Sequence, residues 1–129
     1  MKSANSDPTN FTQIQNCLVA TLPVLAADTL ALLEIALIAE VHRLDIRSVL
    51  VDCALVEIMD SRDFAQLRKM FRAVEMLGAR CMLTSLRAGV VAHLVTYDVD
   101  TDGLQTAIGL EDGLAALRRG QVSTPRRPA

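Results

Sequence analysis

The sequence predicts an α/β fold with a largely parallel sheet, and three observations carry that expectation. Runs of strand-forming apolar residues alternate along the chain with stretches of helical periodicity, the pattern of strands joined by crossover helices. The run Val49-Leu50-Val51 is continuously apolar, as expected of a central strand covered by helices on both faces. Two longer stretches repeat leucine, valine and phenylalanine at three- and four-residue spacing, which gives each stretch one apolar face.

Residues 1–10 are polar, include Pro8 and are expected to form a flexible N-terminal segment. Residues 11–21 alternate imperfectly through Phe11, Ile14, Leu18 and Val19, and read as one strand or a bent pair with a turn at Asn16. Leu22-Pro23 ends that stretch. Asp28 or Thr29 then caps a helix reaching about Leu44, with Leu30, Leu33, Leu37, Val41 and Leu44 along one face. Leu32, Ile35 and Ile38 lie on its other sides. A helix apolar nearly all round calls for cover on more than one side, from its own domain or from another molecule.

Residues 48–53 form the central strand. A second helix begins near Ser61 and turns Phe64, Leu67, Phe71, Val74 and Leu77 inward, with Arg62, Gln66, Lys69, Arg72 and Glu75 opposite. Gly78 suits the left-handed residue that ends it. Residues 80–83 read as a third strand and 86–97 as a helix with Val90, Val91, Leu94 and Val95 inward. Asp98 suits a left-handed turn. Residues 104–108 are a last strand, and 110–119 a closing helix through Leu110, Leu114 and Leu117. The folded domain is thus expected over 11–119, followed by a flexible tail at 120–129.

At 129 residues the chain is one domain by length, able to bury roughly two-thirds of its unfolded surface. Hydrophobic residues make up 51% but aromatic ones only 3%, so the core is built of aliphatic side chains, alanine and methionine. A net charge of −2 argues against a nucleic-acid surface, which needs a basic stripe. The mean hydropathy is +0.31, yet Glu34 and Glu40 break the most apolar run, and a spanning helix takes about 20 apolar residues. No basic-then-apolar leader pattern opens the sequence. The expectation is a cytoplasmic protein with no membrane partner, whose surplus hydropathy lies in protein interfaces. Cys17, Cys53 and Cys81 are odd in number and lack CxxC spacing, which favours reduced core thiols over disulfides or metal ligands.

Neither G-x-x-x-x-G-K-[ST] nor G-x-G-x-x-G occurs, so Gly103, Gly109 and Gly113 read as turn or packing glycines, and no cofactor is expected. His42 and His93 are the only histidines and neither belongs to an H-E-x-x-H pattern, so no metal is expected either. His42 falls near a helix C-terminus, where a cation is favoured. Asp52 and Glu57 read as loop carboxylates. Ser61, at the mouth of the second helix, lacks a G-x-S-x-G elbow, which weakens a nucleophile role and with it any enzymatic reading. Its hydroxyl can cap the helix, a contribution of about 1 kcal/mol. Alternatively Asp60 caps, leaving Ser61 exposed in the first turn as a phosphoacceptor. A helix N-terminus tolerates phosphate. The added charge of about −1.5 to −2 beside Asp60 and Asp63 would repel a docked partner rather than unfold the domain.

The run Val51-Asp52-Cys53-Ala54-Leu55-Val56-Glu57-Ile58-Met59-Asp60-Ser61 and the turn Leu77-Gly78-Ala79-Arg80, continuing to Leu86, resemble the STAS domain of anti-sigma-factor antagonists. Within that superfamily the resemblance points to the stand-alone stressosome scaffold of RsbS type. The segment Leu104-Gln105-Thr106-Ala107-Ile108-Gly109-Leu110-Glu111-Asp112-Gly113-Leu114 extends it, so it covers roughly 11–119. It implies a STAS fold: a four- to five-stranded mixed, largely parallel sheet flanked by about four helices. It also implies that Ser61 is phosphorylated by an RsbT-type switch kinase. The unmodified chain, assembled with an RsbR-type co-antagonist in a homo-oligomer or large hetero-oligomer, would hold that kinase. Asp60, Ser61, Arg62, Thr84 and Ser85 are the expected partner-binding residues, although Thr84 and Ser85 also suit a cap on the following helix. Simple antagonists continue Asp-Ser with Ser-Gly, whereas Arg62-Asp63 stand here, which favours the stressosome branch over a monomeric antagonist of an anti-sigma kinase. His93 falls where co-antagonist relatives carry a second phosphoacceptor threonine, a role histidine does not fill.

Overall fold

The structure, a computed structural model, describes residues 10–23, 25, 28–101 and 103–123. The chain runs β1 (Asn10–Ile14), β2 (Cys17–Thr21), α1 (Thr29–Leu44), β3 (Ser48–Asp52), α2 (Ser61–Met76), β4 (Arg80–Thr84), α3 (Ala88–Thr96), β5 (Thr106–Ala107) and α4 (Leu110–Ser123). The five strands form one sheet in the order β1-β2-β3-β4-β5. β1 pairs antiparallel with β2, and every later pairing is parallel. This is the mixed, largely parallel sheet with four helices that the sequence implies.

Side chains alternate across the sheet, so each strand feeds two cores. Leu18, Ala20, Val49, Val51, Cys81 and Leu83 face α1, α2 and α3, where they meet Leu33, Leu37, Phe64, Leu67, Phe71, Val90 and Leu94. Cys17, Val19, Leu50 and Met82 face the other way, against Leu117 of α4. β3 therefore lies in the middle of both layers, and Val49, Leu50 and Val51 are fully buried. All three cysteines are free and buried. Burial pushes the Cys17 thiol up to about 11 and the Cys53 thiol up to about 12, and raises Cys81 as well. Such thiols stay protonated and act as small apolar core groups.

Several element boundaries differ from the sequence expectation. The 11–21 stretch is a tight hairpin, and Gln15 beside Asn16 takes the positive φ of 56°. Asn10 already belongs to β1, and α4 continues past residue 119 to Ser123, so the expected flexible ends overlap regular structure there. The remainder of those ends, 1–9 and 124–129, lies outside the described residues. The last strand shrinks to two residues, while Leu104 packs on the core just ahead of it.

The largest correction concerns α3. It starts at Ala88, because Ser85 adopts φ 62° and Arg87 is extended, so Leu86 precedes the helix. Only Val90 and Leu94 are buried; Val91 is partly exposed and Val95 is 74% exposed. A nine-residue helix presents one i, i+4 pair to the sheet, and the next pair sits about 100° around the axis. Leu77, read as inward, is half exposed because it is the C-cap of α2. Gly78 (φ 94°) and Asp98 (φ 51°) take the left-handed positions expected of them.

Gly113 lets α4 sit close on the sheet. A Cβ there would come within 2.8 Å of Leu50 Cδ2 and of Thr84 Cγ2. Gly113→Val is expected to cost about 1–3 kcal/mol through overpacking of that layer. The readout is a lower urea midpoint at unchanged slope, and an unaltered midpoint would contradict the close packing.

Candidate functional site

The site is built at the carboxyl end of β3. Asp52, the last strand residue, accepts a hydrogen bond from the Ala54 N–H at 3.0 Å, which turns the chain out of the sheet. Cys53 N–H donates to the Thr84 carbonyl at 2.9 Å, so the start of this loop stays laced to the end of β4. Along residues 53–60, Val56 and Met59 point into the core and anchor the loop from below. Leu55 and Ile58, each one residue ahead of a buried anchor, stand out into solvent, 58% and 78% exposed. The loop therefore offers two apolar side chains on a backbone pinned at four residues.

Arg87, just before α3, clamps the loop from the side. Its Nε donates to the Ala54 carbonyl at 2.9 Å, and its Nη1 reaches Glu57 Oε2 at 3.5 Å. The Glu57 pair is exposed and contributes little by itself; its effect is to hold the loop beside α3. An open groove of about 410 Å³ borders the loop, lined by Leu25, Leu55, Val56, Glu57, Ile58 and Asp63.

α2 opens with a capping box. Asp60 is the N-cap and accepts from the Asp63 N–H at 2.8 Å, while Asp63 accepts from the Asp60 N–H at 3.1 Å. Bonds from the Asp63 backbone hold the Asp60 carboxyl below its usual range, and partial burial pushes Asp63 up. With Asp60 and Asp63 satisfying each other, Ser61 is not the cap. It is the first residue of the helix, and its side chain is exposed. The two alternatives for this serine are thereby separated: the capping role belongs to its neighbour.

Of the other expected partner-binding residues, Arg62 is exposed beside Ser61. Ser85 is half-buried directly after β4, at the same sheet end as the loop. Thr84 departs from expectation. It is fully buried, its methyl lies under α4 at Gly113, and its Oγ1 finds no partner among the described residues. A side chain turned toward α4 offers nothing to a docking partner. Nor does either residue cap α3, whose N-cap is Arg87 without a side-chain bond. Sequence reading missed Arg87, Leu55 and Ile58. The first acts across 33 residues, which leaves no local signal, but exposed apolar residues inside a predicted loop are a signal that was there to be read.

Among the described residues no group of three or more metal-ligating side chains comes together, and no helix is long and apolar enough to cross a membrane.

Asp60→Ala is expected to lose about 1 kcal/mol of stability as the capping box opens, whereas Asp60→Asn retains most of the cap. Because folding lowers the Asp60 pKa, its contribution is present above the unfolded value of about 3.9 and is lost as pH falls through the lower folded value. The stability difference between wild type and Asp60→Asn should therefore rise with pH across the acid range and level off above it. Urea titrations at several acid pH values check this, and a flat difference would contradict it.

No family model and no curated protein matches the chain. Solved structures do. A serine-to-glutamate variant of RsbS from Moorella thermoacetica superposes with a TM-score of 0.76 at 19% identity, over 89% of this chain and 98% of that one. A chain of the stressosome, a signal integration and transduction hub, gives 0.69 at 21% identity, over 85% and 96%. The anti-sigma factor antagonist SpoIIAA in its unphosphorylated form gives 0.63 at 13% identity, over 87% and 98%. At these identities the likeness is one of fold, and the chain carries the STAS fold of stressosome proteins and anti-sigma-factor antagonists.

Proposed function

We propose that this protein is a non-enzymatic, cytoplasmic scaffold of stressosome type that holds a serine/threonine switch kinase until Ser61 is phosphorylated. One observation carries the reading. Ser61 stands exposed at the first position of α2, while Asp60 and Asp63 satisfy the helix end without it. Its hydroxyl is accessible to a kinase, and its modification removes no cap.

Physical consequences follow from that placement. A phosphoryl group adds a charge of about −1.5 to −2. Free N–H groups and the dipole at the start of α2 offset it locally, so the fold persists. Outward, the new charge joins Glu57, Asp60 and Asp63 beside the apolar side chains Leu55 and Ile58. A kinase whose nucleotide phosphates approach Ser61 meets a more negative, more hydrated surface after transfer and leaves. The fold likeness to RsbS and to a stressosome chain supports an RsbR-type co-antagonist and an RsbT-type kinase as partners. The likeness to SpoIIAA supports a second reading, a monomeric antagonist of an anti-sigma kinase. Light scattering with the co-antagonist separates the two, since only a scaffold enters a particle far larger than a dimer.

Ser61→Ala should stay folded and retain the kinase through repeated gel filtration, with no phosphate incorporated from ATP. Ser61→Asp should stay folded by circular dichroism and elute apart from the kinase. Co-elution of Ser61→Asp with the kinase, as for wild type, would sink the switch.

A further inference from the structure

A cavity lies at the opposite end of the sheet from Ser61. Cys17 and Ser48 are the first residues of β2 and β3, and the register sets Ile14 beside Cys17 and Cys17 beside Ser48. Cys17 and Leu50 face α4, and strand alternation puts Ser48, two residues before Leu50, on that face as well. Ile14, Cys17 and Ser48 thus form one row across three strands. α4 lies across β3, β4 and β5. Between its flank and the β1–β2 turn is a cavity of about 120 Å³, floored by that row, walled by Leu114, Leu117 and Arg118, and closed at its end by Gln15 and Asn16. The floor belongs to the core, since Cys17 and Ser48 are both buried. The turn is fixed too. Gln15 takes a φ of 56°, a region costly for most side chains. Its carbonyl accepts from Gln13 Nε2 at 3.1 Å, and the Asn16 carbonyl accepts from the Arg47 N–H at 3.3 Å. No carboxylate lines the cavity, and Arg118 makes no ion pair or hydrogen bond with the described residues.

We infer that this cavity is a binding site for a small organic carboxylate with a short, branched aliphatic body. Size sets the body. An apolar cavity of about 150 Å³ holds benzene, so this one holds about four or five carbons, and a branched group fills so compact a space better than a straight chain. Ile14, Cys17, Leu114 and Leu117 give that body apolar contact on the floor and one wall. Charge sets the head. The guanidinium of Arg118 presents paired N–H donors that match the two oxygens of a carboxylate, and with no acid in the lining nothing competes for it. The side-chain amides of Gln15 and Asn16 add neutral polar partners at the same end. An inorganic anion would leave the apolar walls unused, and a neutral hydrocarbon would leave Arg118 unused. The site shares no residue with the Ser61 loop, so it stands whether or not Ser61 is a switch.

Isovalerate is the probe. Titrated into the isotope-labelled full chain, it should shift the backbone amide resonances of Gln15, Asn16, Cys17, Ser48 and Leu117, with half-saturation at or below about 5 mM, and leave those of Leu55 and Ser61 in place. Isoamyl alcohol has the same body without the charge and should bind at least about fivefold more weakly. Acetate has the head without the body and should be weaker by at least as much. Arg118 is exposed, so Arg118→Gln should fold normally, bind isovalerate only as well as the alcohol, and bind the alcohol as wild type does. Ile14→Trp, at the 38% exposed edge of the floor, should fill the mouth and abolish the shifts; should that variant not fold, Arg118→Gln carries the test. Shifts that do not saturate, that acetate reproduces at equal concentration, or that map to arginines away from the cavity mean an adventitious ion only and overturn the inference. So does an Arg118→Gln chain that binds isovalerate as tightly as wild type.

Discussion

The structure depends on the double burial of β3. Val49, Leu50 and Val51 are all excluded from solvent, which demands a layer on each side of the sheet. On one side α1 and α2 supply Leu33, Leu37, Phe64, Leu67 and Phe71; on the other α4 approaches closely enough that Gly113 leaves no room for a Cβ. Successive parallel strands each add at the same growing edge, so the crossover helices share one face and a terminal helix must close the other. The fold is the least that covers the central strand.

That constraint also places the surface of interest. In a parallel sheet the loops leaving the carboxyl ends of central strands collect at one end, where side chains of different crossovers meet. Here the loop after β3 meets the segment after β4, with the Cys53–Thr84 backbone bond and the Arg87 clamp joining them. Val56 and Met59 fix the loop to the core and free Leu55 and Ile58 for the outside. The capping box then starts α2 in a defined direction, with Ser61 at its first position. A rigid, partly apolar loop carrying one exposed hydroxyl is suited to recognition and chemical modification, and nothing about it requires movement of the core.

Assembly and switching draw on different elements in this reading. The outer face of α1 is apolar, and the loop before α2 carries the serine and its carboxylates. A charge added at Ser61 would alter the second surface without entering the first. A scaffold that must keep its assembly while releasing one partner needs such a separation.

Much of this was legible in the sequence, for a physical reason. Strand and helix periodicity, the uninterrupted Val49-Leu50-Val51 run, the Asp60-Ser61 helix start and the left-handed Gly78 and Asp98 all depend on residues within a turn or two of each other. Local patterns report local structure. Where several nearby residues competed for one role, the tertiary structure chose. Asp60 rather than Ser61 became the cap because Asp63 completes the reciprocal bonds. Val91 and Val95 were left outside because a short helix touches the sheet along one narrow line. Thr84, the last residue of β4, was turned under α4 because strand alternation sends it to the face that Gly113 covers. Arg87 found its partners across the sheet end, at a distance along the chain that no periodicity encodes. The sequence by itself determined the layers and the helix start that presents Ser61; only the packing of one layer on another decided which neighbouring side chains face a partner and which face the core.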